Sequence, residues 1–158
     1  MTMVWQDNIL KNFDKACNSY NSEATIQDLI AKQLAKECFN HQIPPGLWLD
    51  LGTGTGLLAD ALEKLNKDQS VIRVDGSLMM LKHHSRDHSV RLWDLNLGLP
   101  NISEPPVLIA SSFALHWLNN PQARLQEWFS VLKPGGLLAL ALPVHGSFPE
   151  WHQAAALS

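Results

Sequence analysis

Cysteine is scarce in this chain. Cys17 and Cys38 stand far apart and form no Cys-x-x-Cys pair, so neither a zinc site nor a disulfide scaffold is indicated. Both read as reduced, buried thiols. Charge is scarce too: 17% of residues are charged and the formal net charge is -3, which excludes the basic surface of a nucleic-acid binder. Long apolar runs are missing. The longest, LLALALPV from Leu137, falls far short of the roughly 20 residues a membrane helix needs. The opening MTMVWQDNILKNFDKAC lacks the continuous apolar core of an export signal. A cytoplasmic protein with no membrane and no nucleic-acid partner is expected. What is present is a hydrophobic share of 46% in 158 residues, enough for one domain with a sizeable core.

Along the chain, strand-like and helix-like patterns alternate. A segment with Trp5, Ile9, Phe13 and Tyr20 reads as a helix and a bend. Ile26, Leu29, Ile30, Gln33, Leu34 and Cys38 keep helical spacing over 24–38, with Thr25 and Asp28 placed like a capping box. HQIPPG is a break, and residues 47–51 (LWLDL) form a buried strand. Leu57, Leu58, Ala61, Leu62 and Leu65 give a helix directly after it. VIRVD from Val71 is the second strand, and Ser77 caps a helix carrying Met79, Met80 and Leu81. VRLWD from Val90 and VLIASS from Val107 are the third and fourth strands. Asn120 caps and Pro121 opens a helix whose apolar face holds Leu125, Trp128, Phe129 and Leu132. KPGG ends that helix, and residues 137–142 (LLALAL) form the fifth strand. This order predicts an α/β fold with a doubly wound, mostly parallel sheet of about five strands. His83, His84 and His88 read as a solvated helix end, with no metal site expected.

The stretch LWLDLGTGTGLLADAL, residues 47–62, carries the chemistry. In doubly wound folds ligands bind beyond the carboxyl ends of the strands. Glycine there allows positive φ and lets backbone approach a ligand. Gly52, Gly54 and Gly56 follow G-x-G-x-G, not the G-x-G-x-x-G of a dinucleotide fingerprint, because Leu57 takes the third glycine's place. No Gly-Lys-Ser/Thr follows, which excludes a P-loop. Asp50 precedes the turn. A carboxylate there disfavours a phosphate and favours a ligand with an ammonium group, as in S-adenosylmethionine (SAM). Asp75 ends the second strand and can accept hydrogen bonds from ribose hydroxyls, a feature that NAD and SAM sites share. Asp94 ends the third strand within reach of an adenine amino group, and Met80 can pack on the adenine face or serve the core.

Taken together, DLGTGTG (50–56), VDGSLMML (74–81), LWDLNLGLP (92–100) and VLKPGGLLALAL (131–142) resemble the class I SAM-dependent methyltransferases. The segment FDKACNSYNSEATIQ, with Phe13, Ala16, Tyr20, Ala24 and Gln27, resembles more closely the malonyl-[acyl-carrier protein] O-methyltransferases of biotin synthesis. So does SSFALHWLNNPQARLQEWFSVLKPGG, where Ala114, Leu115 and Trp117 fall in place and His116 stands where glutamine is common, and so does HGSFPEWHQA from His145.

The resemblance implies a Rossmann-like core over 46–158 behind an N-terminal helical cap at 1–45, in one domain. It implies SAM as cofactor, held by Asp50, Gly52, Thr53, Gly54 and Gly56, by Asp75, Gly76 and Met80, by Asp94 and Leu95, and by Ser111. Tyr20 would close over the methyl donor, and His116 and Trp117 would lie beside the acceptor, with His145 and Phe148 near by. The implied reaction is O-methylation of the free carboxyl of a malonyl thioester on an acyl-carrier protein. Another small-molecule acid or metabolite is the alternative acceptor, and SAM binding without turnover is a third reading. No general base is needed, since a carboxylate is already ionised at pH 7. Arg124 is expected to face solvent. Class I members continue past the fifth strand with a helix and a hairpin, and WHQAAALS stops where that helix would begin. Without that hairpin LLALAL is expected to be an exposed apolar edge, so that either the chain is a fragment, or another chain covers the edge, as in a dimer, or the protein is a short variant.

Overall fold

The computed structural model describes residues 24–147. Tyr20, Phe148 and the segment with Trp5, Ile9 and Phe13 lie outside them. Helix α1 (Thr25–Asn40) leads into β1 (Trp48–Leu51), α2 (Leu57–Leu65), β2 (Val71–Asp75), the single-turn α3 (Leu78–Leu81) and β3 (Val90–Leu92). Then come β4 (Leu108–Ser112), α4 (Pro121–Ser130) and β5 (Leu137–Ala141). Short 3-10 turns at Leu95–Leu97 and Leu115–Trp117 follow β3 and β4. The caps form as the sequence predicts. Ser77 Oγ accepts from Met80 N at 3.1 Å, and Asn120 Oδ1 accepts from Ala123 N at 3.0 Å. No helix among the described residues is long and apolar enough to cross a membrane.

All five strands are parallel, in the order β3-β2-β1-β4-β5. The order reverses between β1 and β4, so a crevice opens where their carboxyl ends part. Alternation along each strand divides the core in two. On one face Trp48, Val71, Leu108, Ala110 and Ala139 pack against α1 and α2. On the other, Leu49, Leu51, Val74 and Ile109 pack against Trp128 of α4, with Leu95 and Leu115. Asp50 and Arg73 are register partners on β1 and β2, on the face that α2 covers.

Several local expectations are corrected. The buried stripe of α1 is Ala31, Ala35 and Cys38, while Ile26, Leu29 and Ile30 are exposed. Small side chains let the helix lie close to the sheet, and alanine contributes too little hydropathy contrast to mark that face. Thr25 does not cap α1: Ala24 holds the cap position without a side-chain bond, and the Asp28 carboxylate reaches forward to Lys32 Nζ at 2.5 Å. On α4, Trp128 is fully buried but its neighbour Phe129 is 70% exposed, because adjacent residues point about 100° apart around the axis. Arg124 does not face solvent freely. It pairs with Glu127 at 2.9 Å, and Glu127 Oε1 accepts from Leu99 N at 3.0 Å, tying α4 to the loop after β3. Strand β5 is a sheet edge among the described residues, yet its side chains are half-buried beneath helices on both faces.

Candidate functional site

The turn after β1 is fixed by backbone before any side chain acts. Gly52 N and Thr53 N both donate to Val74 O, at 2.8 and 3.0 Å, which bends the chain over the end of β2. Gly52 and Gly54 take φ of 75° and 56°, and Gly56 takes 100° at the entry to α2. The three glycines serve different ends. A Cβ on Gly52 would lie 2.2 Å from Ala114 Cβ, so the first glycine lets the segment after β4 press against the turn. A Cβ on Gly54 would meet nothing within 4 Å, so this backbone faces open space at the crevice. A Cβ on Gly56 would come within 2.8 Å of Arg73 Nη1 and of His84 Cε1.

Asp75 binds across this turn. One carboxylate oxygen accepts from Gly54 N and the other from Ser77 N, both at 2.8 Å. The same carboxylate thus joins the β1 turn to the start of α3. It is only half-buried, at the carboxyl end of β2. Trp93 N donates to Asp75 O at 2.8 Å, which brings the end of β3 alongside.

Asp50 is the electrostatic centre. It is 1% exposed; Oδ2 accepts from Thr53 Oγ1 at 2.7 Å, while Oδ1 forms no well-made hydrogen bond among the described residues. Burial pushes its pKa up to about 7, against the downward pull of Thr53, the Arg73 guanidinium and the Ala59 amide in the first turn of α2. A buried carboxylate with an unsatisfied oxygen fits a cationic ligand group and repels a phosphate.

The other predicted positions divide. Ser111 is buried, and its hydroxyl donates to Leu51 O at 2.7 Å, locking β4 to β1 beside the crevice. Gly76 sits half-buried between Asp75 and Ser77. Met80 is 2% exposed and Leu95 lies in the second core cluster, so both are core side chains. Asp94 is exposed and caps the turn after β3, its Oδ1 accepting from Asn96 N at 2.9 Å. In the 3-10 turn after β4, the His116 and Trp117 rings lie with centroids 4.8 Å apart, tilted by 39°. Burial lowers the His116 pKa, and its Nδ1 is buried without a partner. His145 is exposed.

Three residues escaped the sequence reading. Arg73 is fully buried in β2; Nη1 binds Asp60 and Nη2 binds Glu63, each at 2.6 Å. Its signal was a charge inside VIRVD, with two acids one turn apart on the preceding helix. His84 is half-buried against Arg73 and Gly54, not a solvated helix end. Phe113 has φ of 54°, a strained conformation for a non-glycine residue at the mouth of the crevice. Asp60, Glu63 and His88 lie close together, but the guanidinium already occupies both acids, so the cluster is an ion-pair network.

A parallel sheet with its strand order reversing beside a glycine turn and two aspartates defines a doubly wound α/β protein with a ligand crevice at the switch point. More narrowly, residues 49–140 match the family described as Methyltransferase domain, and the chain belongs to it. It is 30% identical over 158 residues to the malonyl-[acyl-carrier protein] O-methyltransferase of Marinomonas sp. (strain MWYL1), covering 96% of this chain and 57% of that protein. It is 36% identical over 166 residues to the biotin biosynthesis bifunctional protein BioCD of Bordetella avium (strain 197N), covering 94% of this chain and 33% of that one. Among solved structures, the DhpI-SAM-HEP complex shares the fold with a TM-score of 0.71 at 21% identity, over 93% of this chain and 70% of that one. The chain therefore spans about half the length, or less, of these curated relatives.

Proposed function

We propose that this chain binds SAM at the β1–β2–β4 crevice and belongs to a methyltransferase that esterifies the free carboxyl of a malonyl thioester on an acyl-carrier protein. The observation that carries the cofactor reading is the unsatisfied, buried Oδ1 of Asp50 beside an open glycine turn. Asp50 would complement the ammonium of SAM, the Gly54 backbone would admit its chain, and Asp75 would accept from the ribose. Asp94 would meet the adenine amino group. When bound, SAM would supply a sulfonium methyl group for in-line transfer to the acceptor oxygen, the S–C bond breaking as the O–C bond forms and the sulfur leaving as a neutral thioether.

The chain's own part in that chemistry is alignment and exclusion of water. A carboxylate acceptor needs no proton removed at pH 7. A neutral, desolvated His116 suits a hydrogen-bonding wall, with Trp117 as an apolar face beside it. Tyr20 is carried over from the family resemblance as a residue closing over the donor. Arg124 is not the partner of the acceptor carboxylate, because Glu127 holds it. The acceptor itself rests on the malonyl-[acyl-carrier protein] relatives.

Titration calorimetry with SAM and with NADH tests the cofactor. SAM binding with micromolar affinity is expected, and binding of NADH alone would overturn the reading. Mass spectrometry then follows methyl transfer to malonyl-carrier protein and to free small acids. Ester on the carrier-bound malonyl group supports the acceptor. Ester only on free acids moves the function to another metabolite, and SAM binding without any ester marks a chain that does not turn over alone.

A further inference from the structure

The glycine turn is gripped by an imidazole from outside the motifs. His84 Nε2 lies 2.9 Å from Gly54 O, and Nδ1 lies 3.0 Å from Arg73 Nη1. A guanidinium only donates, so Nδ1 accepts from Arg73 and the proton of the neutral ring sits on Nε2, where it donates to Gly54 O. Gly54 is thus held on both sides, its N–H by Asp75 and its carbonyl by His84. The lack of a Cβ on Gly56 lets the ring and the guanidinium pack against the turn.

Protonation would destroy this arrangement. A hydrogen on Nδ1 would point at the Arg73 guanidinium, and the acceptor for that donor would be gone. The charges around the ring are Arg73 from β2, Asp60 and Glu63 from α2, and His88, whose ring centroid is 6.3 Å away, with the exposed His83 next in sequence. Both acids are already engaged by Arg73 and do not free a site for a second cation. We propose that His84 is a positioning residue that holds the SAM-binding turn in shape only while neutral, so SAM affinity falls when His84 gains a proton. The proposal rests on the SAM reading above. Burial, the largest cause, and Arg73 lower the pKa of His84, while the Gly54 carbonyl and Asp60 oppose them, so the grip holds at neutral pH and is lost only below the ordinary histidine range.

The test uses the whole 158-residue chain. Nitrogen-15 spectra should show the Nε2–H neutral tautomer of His84 at pH 7.5, with the Gly54 amide signal moving as His84 titrates. Calorimetry should give wild-type SAM affinity that declines by one proton below neutrality, through Asp50, and by a second proton further into acid. His84→Gln keeps an amide donor for Gly54 O but cannot titrate. It should bind SAM at pH 7.5 within about threefold of wild type and lose only the second proton step. His84→Ala should bind about fivefold to tenfold more weakly at pH 7.5, the worth of about one hydrogen bond. Wild-type affinity and an unchanged pH profile in His84→Ala would overturn the proposal, as would an Nδ1–H tautomer or an imidazolium at pH 7.5. If both variants lose stability alike and keep the second proton step, His84 is only structural and the proposal fails. A wild-type chain that does not bind SAM at pH 7.5 sinks the cofactor reading itself, a result distinct from any of these.

Discussion

Replacing Asp50 with asparagine should make the free protein more stable and the SAM complex weaker, with a pH signature that separates the two effects. The folded carboxyl has its pKa raised from 3.8 to about 7. A raised carboxyl contributes full stability below pH 3.8 and loses it as pH climbs through 7, because the buried group must ionise there without a cation at Oδ1. At about 1.4 kcal/mol for each pH unit between those limits, the loss by pH 8 approaches about 4 kcal/mol as an upper bound. The asparagine side chain would leave its amide nitrogen near the unsatisfied position, which takes back about 1–3 kcal/mol. The net gain in Asp50→Asn is then at most about 1–3 kcal/mol at pH 8, or roughly 2–12 °C in Tm for a chain of this size. At pH 5 only about 1.6 kcal/mol of that loss has accrued, which the cost of the asparagine offsets, so the two melting curves should nearly converge. SAM should reverse the order at pH 8, since its ammonium pairs with Asp50 and has nothing to pair with in the variant. Wild-type affinity should also rise about tenfold from pH 6 to pH 8, as the ionised fraction climbs from roughly a tenth to nine-tenths, with a proton released to buffer. Circular-dichroism melts at both pH values, with and without SAM, and calorimetry in two buffers separate these contributions. A wild type that melts above the variant at pH 8 without ligand would refute the reasoning, because Asp50 would then be a satisfied structural group.

Asp75→Ala should weaken SAM binding by about 1–3 kcal/mol, seen by calorimetry, because it removes an ionised acceptor; an unchanged Kd removes Asp75 from the site. Gly52→Ala and Gly54→Ala should part company. The first forces a Cβ into Ala114 and should lower Tm sharply, whereas the second costs only about 1 kcal/mol of backbone strain but should abolish SAM binding by filling the open side of the turn. Arg73→Met should destabilise the fold by about 1–3 kcal/mol in urea titrations, less than a sealed ion pair would lose, because the Asp60 side chain is 59% exposed and can return to water. His84 itself contributes with the opposite sign to Asp50: as pH drops below 6.5, unfolded histidine takes its proton while His84 resists it, so wild type should lose stability relative to His84→Gln there in paired melts.

What the sequence made legible follows from how local each signal is. The five strands, the caps at Ser77 and Asn120 and the glycine turn are short patterns whose physics is carried by adjacent residues, and the parallel sheet follows from their alternation. Tertiary partners are a different matter. Ala31 and Ala35 look like neutral filler until α1 is laid on the sheet, and Ile26 and Leu29 look like its buried face. His84 belongs to no motif and reads as a solvated helix end, yet its partners come from β2 and from the turn after β1.

The same distinction explains why Asp50 and Asp75, chosen together from sequence, differ in three dimensions. Asp75 sits where two backbone amides of the turn and of α3 converge, so part of its charge is spent on shaping the site, and its loss should harm structure and binding together. Asp50 lies one strand further in, beside Arg73 in register and near the Ala59 amide, but with Oδ1 forming no well-made hydrogen bond among the described residues. A fold selected only for stability would not keep that oxygen, because asparagine or a small apolar residue would remove the cost of ionising it. Its retention is accounted for by a cation that arrives with the ligand, and for that reason the strongest argument for SAM in this chain is a place where the free protein is worse off than it need be.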